Sequence, residues 1–220
     1  MGTRNLTIVK HNEEIKVAQY CQWDGYPEGA GLAILDFLQN EMDLPKFKEQ
    51  LNKCAWATAE ELSAVDETAD TIRAKLEELK ISNPERYDNE NPMSKRNDVL
   101  LNAFPQYHRD TGYKILLMIQ ESKNPLLLQN SFAFGEDTTW CEWAWAIDLD
   151  TMRLEVYSSG FDNFHDAPKG VFETLDEPVR LCKSFDLNIL PDPIEFVRVI
   201  EALWPTKWLT PTDASEDAES

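Results

Sequence analysis

Between residues 4 and 10 the chain alternates Leu6 and Ile8 against Thr7 and Val9. After the polar group His11-Asn12-Glu13-Glu14, a second extended run begins at Ile15 and continues to Gln22. A period of two interrupted by turn-forming residues predicts an N-terminal β-hairpin. Trp23-Asp24-Gly25-Tyr26-Pro27-Glu28-Gly29-Ala30-Gly31 then reads as a loop whose Gly and Pro residues set tight backbone angles. Leu32, Ile34, Leu35, Phe37 and Leu38 follow at helical spacing, so the predicted order is strand, strand, loop, helix.

Pro45 opens a short predicted helix to about Lys53, and Thr58-Ala59-Glu60-Glu61 has the capping-box form that starts another. Leu62, Val65, Ala69, Ile72, Leu76 and Leu79 recur at steps of three and four, a stripe expected to face the core. The stretch 81–96, with Pro84 and Pro92, reads as an exposed loop suited to cutting or insertion. Helices are expected over 98–104, 110–121 and 193–203, and strands over 140–149, 152–157 and 179–187, with Asp150-Thr151 as the turn of a second hairpin. The acidic stretch 210–220 is too poor in apolar residues to pack. The fold class expected is α+β, with both hairpins in a mainly antiparallel sheet packed against helices. It occupies a single domain over 1–209, followed by a disordered tail.

Composition supports a folded chain, because ten Phe, seven Trp and six Tyr among 220 residues offer enough aromatic burial to offset backbone ordering. Charges at Arg4, Lys10, Glu13, Glu14 and Lys16 interrupt the first thirty residues, so neither a secretory signal nor a membrane span is expected and the location is read as cytoplasmic. Cys21, Cys54, Cys141 and Cys182 are widely spaced, with no C-x-x-C pair, which fits reduced thiols. The net charge of −19 argues against direct binding of nucleic acid or anionic membrane. It serves solubility, or it marks a surface for a basic partner.

The leading site candidate is the loop after the hairpin. There Gln19, Gln22, Trp23, Asp24, Tyr26 and Glu28 bring amides, carboxylates and aromatics to a glycine-rich turn. Such a helix start also presents N–H groups to an anion. Bracing of a sharp strand-to-helix turn explains the same residues equally well. No phosphate-binding G-x-x-x-x-G-K-[ST] run and no Rossmann glycine spacing follow, and no cofactor is expected.

Glu142 is the second candidate. It is either a buried carboxylate needing a partner such as Arg4, or a residue of a solvent face shared with Asp148, opposite Trp143, Trp145 and Ile147. His11, His108 and His165 show no metal-ligand spacing, and Asp162, His165 and Asp166 share one loop better read as solvated than as a cation site, so no metal is expected. Cys21 and Cys141 become neighbours if their strands adjoin. Buried packing is the reading for each.

Gly2-Thr3-Arg4-Asn5-Leu6 together with Ala18-Gln19-Tyr20-x-Gln22-Trp23-Asp24-Gly25-Tyr26-Pro27-x-Gly29-x-Gly31 resembles a family of unassigned activity found in fungi, bacteria and phages. Cys141-Glu142-Trp143-Ala144-x-x-Ile147-Asp148-Leu149-Asp150 and Leu154-Glu155-Val156-Tyr157 extend the resemblance over most of the chain. Cys21 stands where that pattern leads one to expect a small residue. The two hairpins are also similar to the layered fold of N-terminal-nucleophile hydrolases, whose first strand opens on a catalytic Cys, Ser or Thr. Gly2 offers no such group, and Thr3 requires a further cleavage to become the terminus.

Two functions are therefore expected. The first is a non-enzymatic binding or inhibitor protein that engages a basic protein or small ligand, phage-type counter-defence being one form. The second is an amide-bond hydrolase or transferase with Thr3 or Cys21 as nucleophile and Arg4, Asp24 and Glu142 orienting substrate.

Overall fold

The computed structural model describes residues 2–82, 98–160 and 167–203. The tail at 210–220, the group Asp162, His165 and Asp166, and all of the expected 81–96 loop beyond Ser82 lie outside the described residues.

The hairpin forms as expected, with β1 (Asn5–His11) antiparallel to β2 (Glu14–Cys21). Its turn places Asn12 at φ 55° and Glu13 at φ 63°. This is the left-handed geometry that lets a tight hairpin match strand twist. Both N–H groups donate to the Asp150 carboxylate at 2.8 and 2.7 Å, so the tip of one hairpin is clamped by the turn of the other. Burial alone raises the Asp150 carboxyl, but these two donors, His11 and Lys10 outweigh it and hold the group below its ordinary range.

The expected loop is shorter than the glycine and proline content implies, because helical winding begins at Pro27. A π-helical turn (Pro27–Gly31) runs into α1 (Leu32–Asp36) and then a second π-helical turn (Phe37–Glu41). After it come α2 (Leu44–Leu51), capped by Asp43; β3 (Ala55–Trp56); α3 (Ala59–Ser82); α4 (Val99–Ala103), capped by Asp98; and α5 (Lys114–Glu121). The chain ends its described course with β4 (Leu127–Leu128), β5 (Trp143–Asp148), β6 (Arg153–Ser158), β7 (Arg180–Asp186) and α6 (Pro193–Glu201), capped by Asp192.

Five strands make one sheet in the order β2-β1-β5-β6-β7, and β3 pairs with β4 in a small parallel one. Neighbours in the main sheet are antiparallel except β1 and β5, which run parallel. A parallel pair cannot be closed by a tight turn. Here β2 brings the chain back, and the stretch from β2 to β5 leaves and re-enters the sheet at one end, since Cys21 and Trp143 both face Asn5; it carries α1 to α5. The class is α+β, with a mainly antiparallel sheet.

Trp143, Trp145, Ile147, Val9, Val17, Leu154 and Val156 look toward α1, α2, α5 and α6, where Ile34, Phe47, Ile115, Ile119, Phe196 and Ile200 complete the main core. Leu6, Ile8, Ala144, Ala146 and Tyr157 look the other way and are covered by Val171, Phe172 and Val179, with Phe132 and Phe134 alongside. Both faces of β5 are thus dry. This overturns the reading of a solvent face through Asp148, which is only 4% exposed and is held by Lys10 at 3.7 Å and by the N–H groups of Asp150 and Thr151. The small alanines leave room for loops, rather than helices, to close over that side.

The capping box on Thr58 forms reciprocally, Thr58 N–H to Glu61 at 2.8 Å and Glu61 N–H to Thr58 Oγ1 at 3.2 Å. The stripe that follows is not core. Only Ala69 is buried; Leu62, Val65, Ile72 and Leu76 are half-buried, and Leu79 is exposed. Helical periodicity creates an apolar face, but the face is buried only where another layer meets it, and α3 packs chiefly on short α4.

Trp145 is fully buried, stacks on Trp143 at 5.7 Å and tilts against Phe196 at 6.1 Å. Trp145→Ala is expected to cost about 3–5 kcal/mol, read as a fall in the urea midpoint at unchanged slope. Leu79→Ala, at the exposed end of the α3 stripe, is expected to cost less than about 1 kcal/mol, and equal losses at the two positions refute this assignment of the core.

Candidate functional site

The chain leaves β2 at Cys21 and crosses the end of the sheet as a loop tied down on three sides. Asn5 Nδ2 donates to the Trp23 carbonyl at 3.1 Å, Gly25 N–H donates to the Thr3 carbonyl at 3.0 Å, and the Trp145 indole N–H donates to the Gly25 carbonyl at 2.9 Å. The helix that follows can approach because Gly31 has no side chain, a Cβ there coming within 2.6 Å of the Trp145 ring. Asp24 sits at φ 55°, a left-handed conformation that Asp tolerates better than most residues.

These restraints open a cleft of about 570 Å³ between the loop and the segment leading into α5. Trp23, Asp24, Tyr26, Glu28 and Gly29 supply one wall; Asp110, Tyr113 and Lys114 supply the other, with Cys21 at the base. Its size suits a small ligand or one long side chain. Trp23 and Tyr26 are 43% and 40% exposed, so both rings present faces beside the polar wall.

Three carboxylates face one ammonium group here. Glu28 also lies beside Glu201 at the end of α6, whose carboxyl is pushed up by burial and by Glu28 itself. Asp110 Oδ1 is buried without a hydrogen-bond partner among the described residues, its nearest cation being Arg109 Nε at 4.0 Å. Asn5 Oδ1 and Thr7 Oγ1 are likewise buried and unpartnered, on the strand that flanks Cys21. Burial pushes the Tyr113 hydroxyl up, and the neighbouring Cys21 and Asp24 add to it. Carboxylates beside aromatic faces favour a ligand that brings N–H donors and positive charge.

The far wall is positioned by a short relay. His108, 5% exposed, accepts the Asp110 N–H on Nδ1 at 3.1 Å and donates from Nε2 to Asp98 at 2.9 Å, which also caps α4 through Leu101 N–H. One imidazole thus ties the cap of α4 to the backbone of Asp110.

Of the predicted residues, the fold brings Trp23, Asp24, Tyr26 and Glu28 into the cleft and leaves Gln19, Gln22, Arg4 and Glu142 out of it. Gln19 is buried in β2, opposite Thr7, with its amide on the Tyr20 carbonyl. Gln22 accepts the Tyr20 hydroxyl at 2.6 Å, and the Arg4 guanidinium lies 4.2 Å from the Trp140 ring centroid. Glu142 accepts the backbone N–H of Arg4 at 3.2 Å, so the expected pairing exists through main chain and not as an ion pair. The anion reading of the helix start is overturned as well: Gly29 and Gly31 N–H donate to the Tyr26 carbonyl and Ala30 N–H to that of Asp24, beneath two carboxylates. Asp110, Tyr113 and Lys114 escaped the sequence reading. Their one signal is the polar run His108-Arg109-Asp110-Thr111-Gly112 between two apolar helices, with Gly112 at φ 47°.

Cys21 and Cys141 are not brought together. Cys21 faces the cleft, against Gly112, whereas Cys141 lies in the core on the opposite side of the sheet. Burial pushes the Cys21 thiol up, opposed by the Trp23 backbone contact and raised further by Asp110. Its S–H donates to the Trp23 carbonyl at 3.4 Å. A raised pKa leaves less thiolate at every pH below it. The Cys21-dependent part of disulfide-reagent labelling, taken as wild type minus Cys21→Ser, is expected to be slow at neutrality and still climbing with pH beyond about 8.5. A plateau reached below that value contradicts the assignment.

Among the described residues no group of three or more His, Cys, Asp or Glu is placed to hold a metal ion, and no helix is long and apolar enough to cross a membrane. Comparison with known proteins finds no family model, no curated protein and no solved structure that matches the chain.

Proposed function

We propose that this chain is a non-enzymatic binding protein whose cleft receives a cationic group, ammonium or guanidinium, carried by a basic protein partner or a small ligand. One observation carries the reading: Asp24, Glu28 and Asp110 converge with Trp23, Tyr26 and Tyr113 on one cleft that holds a single ammonium group, Lys114. Carboxylates give the cation a counter-charge and N–H acceptors, and the ring faces attract it through their quadrupoles. The net charge of −19 adds long-range attraction that steers a basic partner to the surface. An inhibitor that occupies a basic protein, as counter-defence requires, is one form of such a binder.

The amide-bond hydrolase reading draws less support. A cysteine nucleophile needs a lowered pKa or an adjacent base. Burial moves Cys21 the other way, and no histidine is among the side chains lining the cleft. Arg4 and Glu142, assigned to orient substrate in that scheme, lie outside it.

Isothermal titration with n-butylguanidinium against uncharged n-butylurea tests the proposal. The cation is expected to bind and the urea not, with affinity falling as salt rises and dropping at least about tenfold in Asp110→Asn, equal to about 1.4 kcal/mol. Equal binding of both probes, or none of the cation, overturns it.

A further inference from the structure

Tyr113 and Lys114 belong to two concavities at once. On their other side lies an apolar groove of about 740 Å³ between the helical stretch 27–41 and α5, floored by Ala33, Phe37, Leu117 and Met118 and closed at one end by Pro105. Leu117 is 41% exposed there, although α5 otherwise buries Ile115, Leu116 and Ile119 completely. The floor of the groove thus rests on the main core through Phe37 and Met118, while Leu117 turns its side chain outward on the far side of α5 from Ile115 and Ile119.

The rim has a sign. Asp36, Glu41 and Glu121 stand around it against Lys114. Lys46 pairs with Glu121 at 2.7 Å, while Asp36 and Glu41 have no cationic partner among the described residues. An apolar floor inside an acidic rim complements an amphipathic helix whose one face is apolar and whose flanks carry Lys or Arg. A second copy of this acidic chain is poorly matched to the same rim, since like charges would be brought together.

Resting on the reading of the cleft as a cation site, we infer that this groove is the second half of the same recognition surface. It seats the apolar face of a basic amphipathic helix of a protein partner, with a Lys or Arg of that helix reaching past Tyr113 into the cleft. The partner is then a basic protein and not a small amine. Specificity comes from the spacing between the apolar anchor and the cation, which the shared Tyr113–Lys114 wall sets.

A fluorescently labelled peptide of about four helical turns, with leucines at i, i+3, i+4 and i+7 and lysines elsewhere, is the probe, compared with a peptide of identical composition in scrambled order. Both carry the same charge, so general attraction to an acidic protein cancels in the ratio. Anisotropy titration is expected to show the amphipathic peptide binding at least about tenfold tighter. Leu117→Gln, on an exposed site, and Ala33→Trp, which fills the groove from the opposite wall, are expected to bring the two peptides together. Asp110→Asn should weaken the amphipathic peptide more than the scrambled one, because only the seated helix holds its cation at the cleft.

Equal affinities for wild type, or a preference that survives both groove variants, overturn the inference. So does concentration-dependent self-association that Leu117→Gln abolishes, which gives the groove to a second copy. If butylguanidinium fails to bind while the peptide preference and its loss in Leu117→Gln hold, the cleft reading falls and the groove stands. The reverse pattern removes the groove alone.

Discussion

The indole of Trp145 is the point on which the rest of the structure depends. Its ring lies between Trp143 and Phe196 in the main core, its N–H holds the Gly25 carbonyl, and its edge meets the backbone of Gly31. A buried indole N–H left unpaired costs about 1–3 kcal/mol, so the ring and the loop settle together or not at all. Through that single side chain the central strand dictates where the loop after β2 turns and where the following helix begins. The cleft is a consequence of this: its near wall is the loop so held, and its far wall is the segment entering α5.

The parallel pairing of β1 with β5 has a matching effect on the topology. More than a hundred residues separate β2 from β5, and three helices of that connection, α1, α2 and α5, pack on one face. The opposite face is closed by short turns carrying Val171, Phe172, Phe132 and Phe134, which fit against alanines in β5. With both faces occupied, the cleft opens at the end of the sheet, where β2 stops and Asp110, Tyr113 and Lys114 come alongside.

Charge and hydrophobicity are separated at that end. The cleft holds carboxylates and exposed rings, and the groove beyond Tyr113 and Lys114 is apolar with an acidic rim. A cation in such a setting exchanges water for carboxylate oxygens and ring faces, while an apolar side chain next to it exchanges water for Leu117 and Phe37.

Much of the local structure was legible along the chain because it is set by near neighbours. The period of two around Leu6 and Ile8, the capping box at Thr58 and the alternation through Trp143, Trp145 and Ile147 each appear as the expected element. Half of the candidate site was legible for the same reason, since Trp23, Asp24, Tyr26 and Glu28 lie on one turn-rich loop. What was not legible depends on which surfaces meet. The α3 stripe has helical spacing yet stays half-buried, Glu142 meets the main chain of Arg4 and not its guanidinium, and the loop at Asp110 reaches the cleft only through the long connection between β2 and β5. Local pattern was enough for the α+β class, the first hairpin and the acidic character. The tertiary structure alone decided which residues complete that site, because parallel pairing and two-sided burial are interactions between segments far apart in the chain, and periodicity carries no record of them.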